Sequence, residues 1–328
     1  MKRIVIVGAG AVGGSIGARL QRSGFPVLLV VRGEHGRVIR RKGLCLKTAE
    51  DSVRVHPQAL DEIGSVDWQN GDLVLVAAKS QDAEVIFDEI LRSAAPALPV
   101  VCASNGMQCE HWAAARFDTV LSMLVWMPAT HLVPGEVCIH ASGCIGVLDV
   151  GPHCGIAAAD LSLQLCRELR AAGFDSVARD DIRRWKYAKW ITNLGNTAQA
   201  LVSDEWRKVA ALAQAEGEAV LTKAGVDRVT TGDLHARTAA VRLARIDGEQ
   251  RRGGSTWQSR VRGKPLETPW IEGAMADLAD RLGVPAPVNR MLTINAEHSR
   301  EMTAQEFLSA AGVDADNVSP GRLAGDPD

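Results

Sequence analysis

The sequence predicts an α/β protein: a parallel sheet covered by helices in the N-terminal part, followed by an all-helical domain. Three observations carry this prediction. Over residues 1–110, short apolar runs alternate with amphipathic stretches, as expected for strands buried on both faces. A glycine cluster follows the first of these runs directly. From Asp181 onward the apolar residues recur at helical spacing.

Taken in order, RIVIV (3–7) is the first strand and 11–23 the first helix. The runs VLLVV (27–31), LVLVAA (73–78) and LPVVCAS (98–104) are further strands. Residues 117–150 break into short pieces separated by Pro and Gly, expected to extend the same sheet. A helix over 158–172 stops at Gly173, a C-cap signal, and FDSVARD reads as a last strand. Helices are then expected over 182–201, 206–224, 232–248 and 268–282, the last ending at LGVPAP. The expected domains are 1–180 and 181–315, with a polar, Gly/Pro-rich tail over 316–328 expected to be disordered.

The chain has 328 residues, 46% hydrophobic and 23% charged, with a net charge of -2. That length supports two cores. The charge balance gives no reason to expect nucleic acid or an anionic membrane as partner. No apolar run reaches the roughly 18 residues of a membrane span. The opening MKRIVIVGAGAVGG does not read as a signal peptide, because its apolar segment runs straight into glycines. A cytoplasmic protein is expected. Seven cysteines are scattered without C-x-x-C spacing or paired histidines; free thiols are expected and no metal site.

The glycines spell G-x-G-x-x-G between a strand and a helix, the Rossmann fingerprint for a dinucleotide. Gly8 permits the tight turn, Gly10 lets backbone approach a diphosphate, and Gly13 allows close helix–strand packing. Gly8, Ala9, Gly10, Ala11, Val12 and Gly13 are therefore expected to bind the cofactor, with the helix N-terminus facing its negative charge. The second strand ends in Arg32, where NAD sites usually carry a carboxylate. A guanidinium suits a 2′-phosphate, so NADP(H) is the expected cofactor. Glu34, two residues on, is the feature that pulls toward NAD.

Lys79 and Asn105 each fall just past the end of an expected strand, at the sheet edge where open α/β folds bind ligands. The segment KYAKWITNLGNTAQAL (186–201) poses a separate question. On one helix, Lys189, Asn193 and Asn196 share a face opposite Tyr187, Trp190, Ile191, Leu194 and Leu201. Asn and Gly cost about 0.5–1 kcal/mol each in a helix relative to Ala, so this is a poor solvent face. Lys186, nearby on the same helix, is the rival lysine.

The motifs GAGAVGG, VAAKSQD, SNGMQ, RRWKYAKWITNLGN and GSTWQSRVRGKPLETPWIEG together resemble the ketopantoate reductase (2-dehydropantoate 2-reductase) family, over Met1 to about residue 300. The resemblance implies an NADP-binding Rossmann domain, a helical domain and an active site between them. It implies that Lys79 contacts the cofactor and that Asn105 lies near both nicotinamide and substrate. It makes Lys189 the proton donor, with Asn193 and the neighbouring Asn196 on the substrate. It also implies that Ser255 and Gln258 hold the substrate carboxylate. Glu267, twelve residues after Ser255, would contact the cofactor and hold the Lys189 charge in place.

Three departures bear on the substrate. The asparagine spacing after Lys189 is one residue short of the N-x-x-x-N of many members, Glu272-Gly273 replaces their Asn-Gly, and a further family asparagine has no counterpart near VSDEWRK. Trp190, Trp206, Trp257 and Trp270 crowd the expected substrate region. The expected activity is NADPH-dependent reduction of a small 2-oxo acid, by default 2-dehydropantoate to pantoate. A family member acting on a bulkier ketone or 2-oxo acid, and a non-catalytic NADPH sensor, are the alternatives. Oligomeric state is not legible, and a homodimer is open.

Overall fold

Ile4 and Ile6 of the first strand pack with Ile16, Leu20, Leu29, Leu73 and Leu75 on one side of a sheet. Val5 and Val7 pack with Leu28, Val74, Ile86, Phe87 and Ile90 on the other. Alternate residues of one strand feeding two apolar layers explain why the strands read as continuous hydrophobic runs. The structure is a computed structural model describing residues 1–249, 251 and 253–313. The tail expected over 316–328 lies outside the described residues.

The elements run β1 (Arg3–Val7), α1 (Ala11–Arg22), β2 (Val27–Val30), α2 (Gly33–Lys42), β3 (Leu44–Lys47), β4 (Ser52–Val55), β5 (Gln58–Leu60) and β6 (Asp72–Val76). There follow α3 (Ser80–Ser93), β7 (Val100–Cys102), α4 (Gln108–Ala114), β8 (Val120–Trp126), β9 (Ala129–Thr130), β10 (Glu136–Ile139), β11 (Ala141–Gly143), β12 (Val147–Cys154) and α5 (Ala158–Ala171). The rest is α6 (Ile182–Asn193), α7 (Asn196–Leu201), α8 (Trp206–Lys223), α9 (Thr231–Thr238), β13 (Val241–Leu243), α10 (Ser255–Val261), a π-helical turn (Pro269–Gly273), α11 (Ala274–Leu282), α12 (Pro287–His298) and α13 (Ala304–Ala310).

The described residues form two compact units: 1–186 with 237–249 and 251, and 187–236 with 253–313. In the first, the main sheet has the order β12-β8-β7-β6-β1-β2-β5. Six strands are parallel and β12 is antiparallel to β8. This is the strand order of a doubly wound dinucleotide-binding sheet, reversing direction between β1 and β6.

The pieces over 117–150 do not all extend that sheet. β8 and β12 do, but β9 and β10 join β3 and β4 in a separate four-stranded sheet, and β11 pairs with β13. FDSVARD runs along β12 through isolated bridges at Asp175 and Ala178 rather than a continuous ladder.

The helix expected over 232–248 stops at Thr238. Beyond it the backbone of β13 pairs with β11. Arg237 bonds Asp149 and Asp175 at 2.6–2.9 Å, and Lys47 bonds both Glu136 at 2.6 Å and Glu249 at 2.8 Å. Strand pairing and ion pairs distant in sequence thus override the local helical pattern.

In the second unit, α8 packs against α7, α11, α12 and α13. Glu216 of α8 takes the free N–H groups of Val288 and Asn289 at 2.8 and 2.9 Å, closing the N-terminus of α12. Among the described residues no helix is long and apolar enough to cross a membrane. Of the seven cysteines, five are buried and two are half-buried.

Candidate active site

The expected site residues fall into two groups, one in each unit. In the first unit, Gly8 has φ +95°, and a Cβ there would lie 2.9 Å from the Ala78 amide nitrogen. A Cβ on Gly13 would come within 2.1 Å of the Gly8 carbonyl oxygen. Both positions are closed to any side chain. Gly10 differs: a Cβ there meets nothing within 4 Å, and no acidic residue occupies the first turn of α1. An open approach to bare N–H groups fits a diphosphate.

Arg32 is exposed at the end of the segment that leaves β2 and is the residue from which α2 starts. Glu34 is turned onto Arg37 at 2.5 Å on the exposed face of α2. Lys79 precedes the first residue of α3, two residues beyond Ala77, which follows β6. Asn105 sits in the turn after β7, where Gly106 takes φ +70°. The loops at Gly8, Arg32, Lys79 and Asn105 all follow the carboxyl ends of neighbouring parallel strands.

One contact at the glycine loop was not legible in the sequence. The buried His35 accepts from the Gly135 N–H at Nδ1, 2.7 Å, and its Nε2 lies 2.7 Å from the Ala9 carbonyl oxygen. The first bond puts the proton on Nε2, so that nitrogen donates to Ala9. No motif surrounds His35 to announce this role.

In the second unit, the single helix expected over 182–201 is two helices. α6 ends at Asn193 and α7 starts at Asn196. Gly195 lies at the joint, and a Cβ on it would come 2.7 Å from Cβ of Ala210 on α8. The close passage of α8 requires glycine there. Asn196 still donates to the Asn193 side-chain oxygen at 3.5 Å, a long bond that keeps the two amides adjacent.

The polar face is not a solvent face: Asn193 is buried, and Lys189 and Asn196 are half-buried. α10 packs on α7, with the Gly254 N–H donating to Gln199 at 2.8 Å. A Cβ on Gly254 would lie 3.6 Å from the Asn196 side-chain oxygen. The turn opening into Ser255 is thereby brought beside the amides, with Gln258 buried one turn further on. Glu267 is buried just before the π-helical turn.

Two residues near this group gave no sequence signal or a misleading one. His235 lies close enough to Lys189 for the lysine's charge, after the larger effect of burial, to hold the imidazole below its ordinary range. Trp190 is a core residue, not a wall of the site: it is buried and donates to the Ile271 carbonyl at 3.1 Å.

Lys186 belongs to the first unit. It is buried, ion-paired with Glu110, and donates to the Ser104 carbonyl at 3.2 Å.

The sheet order and the residues at its carboxyl edge define a Rossmann-type protein with a helical C-terminal region. Residues 4–153 match the family described as Ketopantoate reductase PanE/ApbA, and residues 181–298 match its C-terminal counterpart. The chain belongs to the ketopantoate reductase family. A 2-dehydropantoate 2-reductase of Archaeoglobus fulgidus is 28% identical over 307 residues, covering 89% of this chain and 96% of its own. A crystal structure of a PanE/ApbA family ketopantoate reductase from Ralstonia eutropha superposes with a TM-score of 0.74 at 27% identity, covering 90% of this chain and 98% of that one. D-mandelate dehydrogenase, solved with NADH and anilino(oxo)acetate, shares the fold at 22% identity and a TM-score of 0.74, again over 90% and 98%. These relatives are oxidoreductases.

Proposed function

We propose that the chain is an NADPH-dependent reductase of a small 2-oxo acid, with 2-dehydropantoate the default substrate, pantoate the product and pantothenate biosynthesis the context. The observation that carries this reading is the face of Lys189, Asn193 and Asn196, polar yet withdrawn from solvent and closed by the turn at Gly254. An ammonium and two amides kept there at a cost in helix propensity suit a substrate better than water.

A reduced nicotinamide, when bound, supplies the hydride. The open ground at Gly10 and the N-terminus of α1 fit its diphosphate, Arg32 fits a 2′-phosphate, and Lys79 and Asn105 stand at the sheet edge where it would lie. Lys189 stabilises the negative charge that develops on the carbonyl oxygen and delivers a proton to it. Asn193 and Asn196 orient the substrate without adding a titrating group. Ser255 and Gln258 take the carboxylate, and Glu267 keeps the lysine in its charged form.

A second reading is a family member acting on a bulkier 2-oxo acid. It is favoured by Glu272 in place of the usual asparagine and by the half-buried Trp257 and Trp270; Trp190, being core, no longer counts toward it. Loss of NADPH absorbance on mixing with a panel of 2-oxo acids separates the readings. Turnover of 2-dehydropantoate supports the first, and turnover only of larger acids supports the second. Cofactor binding with no turnover of any acid would overturn both and leave a sensor.

A further inference from the structure

Glu272 is wholly buried on the π-helical turn. Its Oε1 accepts from the Thr197 N–H at 3.2 Å, and its Oε2 has no hydrogen-bond partner. Thr197 also meets Thr268 through their hydroxyls at 2.7 Å. The turn therefore grips the first turn of α7 at two points, immediately beside Asn196. A π-helical turn places residues out of ordinary helical register and recurs at functional sites. Here it brings the carboxyl to the start of α7.

A buried carboxylate requires a cation or several donors to remain ionised. Glu272 meets its own backbone N–H and the Thr197 hydroxyl and N–H, but its Oε2 stays without a partner. The elements packed around it do not supply the missing charge. On α11, Asp277, Asp280 and Arg281 are exposed, and on α12, Arg290, Glu297 and His298 are exposed, with Arg290 ion-paired to Asp280. α7 carries no titratable residue, and α6 carries Lys189, whose charge is felt at His235. The nearby charge of Glu267 is of the same sign and disfavours ionisation.

We propose that Glu272 is a positioning residue that works as a neutral carboxylic acid beside Thr197 and the Asn193–Asn196 amide face, so that loss of its proton sets an uncompensated buried charge next to that face and weakens the hold on an anionic substrate. A protonated carboxyl stands close in shape and hydrogen-bonding capacity to the asparagine amide it replaces. Burial pushes the group up to about 8; its own backbone N–H and the bonds from Thr197 oppose this, and the Glu267 charge adds a smaller push upward. The folded protein holds this proton more tightly than the unfolded chain, so stability is full below the unfolded pKa near 4.5 and is lost as pH rises toward about 8.

The kinetic part of this inference rests on the proposed reductase activity; the spectroscopic part does not. In the full-length protein, the infrared C=O stretch of a protonated carboxyl is expected at pH 6.5, fading as pH passes about 8, and absent in Glu272→Gln. In the reductase assay, KM for the 2-oxo acid is expected to rise above that break, by up to about tenfold per pH unit, the limit for one titrating group. Glu272→Gln is expected to keep KM flat across the same range. Identical KM–pH profiles for wild type and Glu272→Gln would overturn the inference. So would a wild-type spectrum without the protonated band at pH 6.5, a reading available even if the glutamine variant fails to fold. If no 2-oxo acid is reduced but the band titrates as described, the neutral acid stands and the reductase reading falls.

Discussion

Lys186 and Glu110 form a buried ion pair at the start of α6, with the lysine also donating to the Ser104 carbonyl. This pair separates the two lysines of KYAK by environment. Lys186 is committed to a carboxylate and a carbonyl inside the first unit, whereas Lys189 is half-buried beside the amides. Removing one partner of a buried pair leaves an uncompensated charge, at about 3–5 kcal/mol. Lys186→Ala and Glu110→Ala are each expected to lower the thermal midpoint strongly. The double variant is expected to lose less than the sum of the two. Additive losses in a thermal-melt cycle would show that the pair is not coupled.

The glycine loop predicts a split between folding and binding. Gly13→Ala would push a methyl group to 2.1 Å from the Gly8 carbonyl, so poor folding is the expected result. Gly10→Ala meets nothing within 4 Å in the protein. Its melting temperature should match the wild type, while NADPH affinity by fluorescence titration falls. Unchanged affinity in Gly10→Ala would remove the diphosphate from this loop.

The proposed preference for NADPH rests on Arg32. Arg32→Ala is expected to weaken NADPH by about tenfold, the scale of one charge-assisted hydrogen bond, and to leave NADH nearly unchanged. Glu34 does not compete, because its carboxylate is held by Arg37 on an exposed face. Equal losses for the two nucleotides would contradict the 2′-phosphate contact.

The elements that were legible in the sequence are those whose periodicity is set locally. β1, β2, β6 and β7 carry enough consecutive apolar residues to declare burial on two faces, and the glycine spacing declares the turn after β1. What was not legible depends on partners far along the chain. β3 and β10 are short strands that pair Cys45 with Glu136, about 90 residues further along the chain, and nothing local says that they pair with each other. β13 forms because β11 is there to receive it.

At the candidate site, the K-x-x-x-N spacing exposed Lys189 and Asn193 because a helix converts that spacing into a shared face. The break at Gly195 was hidden, since it is α8 passing close to the joint that demands a glycine. Glu272 was visible as a departure from the family pattern, but its burial and its contact with Thr197 come only from the fold. His35 and His235 had neither motif nor spacing to mark them.

The central claim is that Lys189 donates the proton. Single-turnover loss of NADPH absorbance on mixing with 2-dehydropantoate tests it most directly, with wild type and Lys189→Ala compared at equal cofactor saturation. The account predicts that Lys189→Ala keeps its melting temperature and NADPH affinity while hydride transfer slows by at least about a hundredfold. Near-wild-type transfer in Lys189→Ala, together with a crippled but folded Lys186→Met, would contradict it.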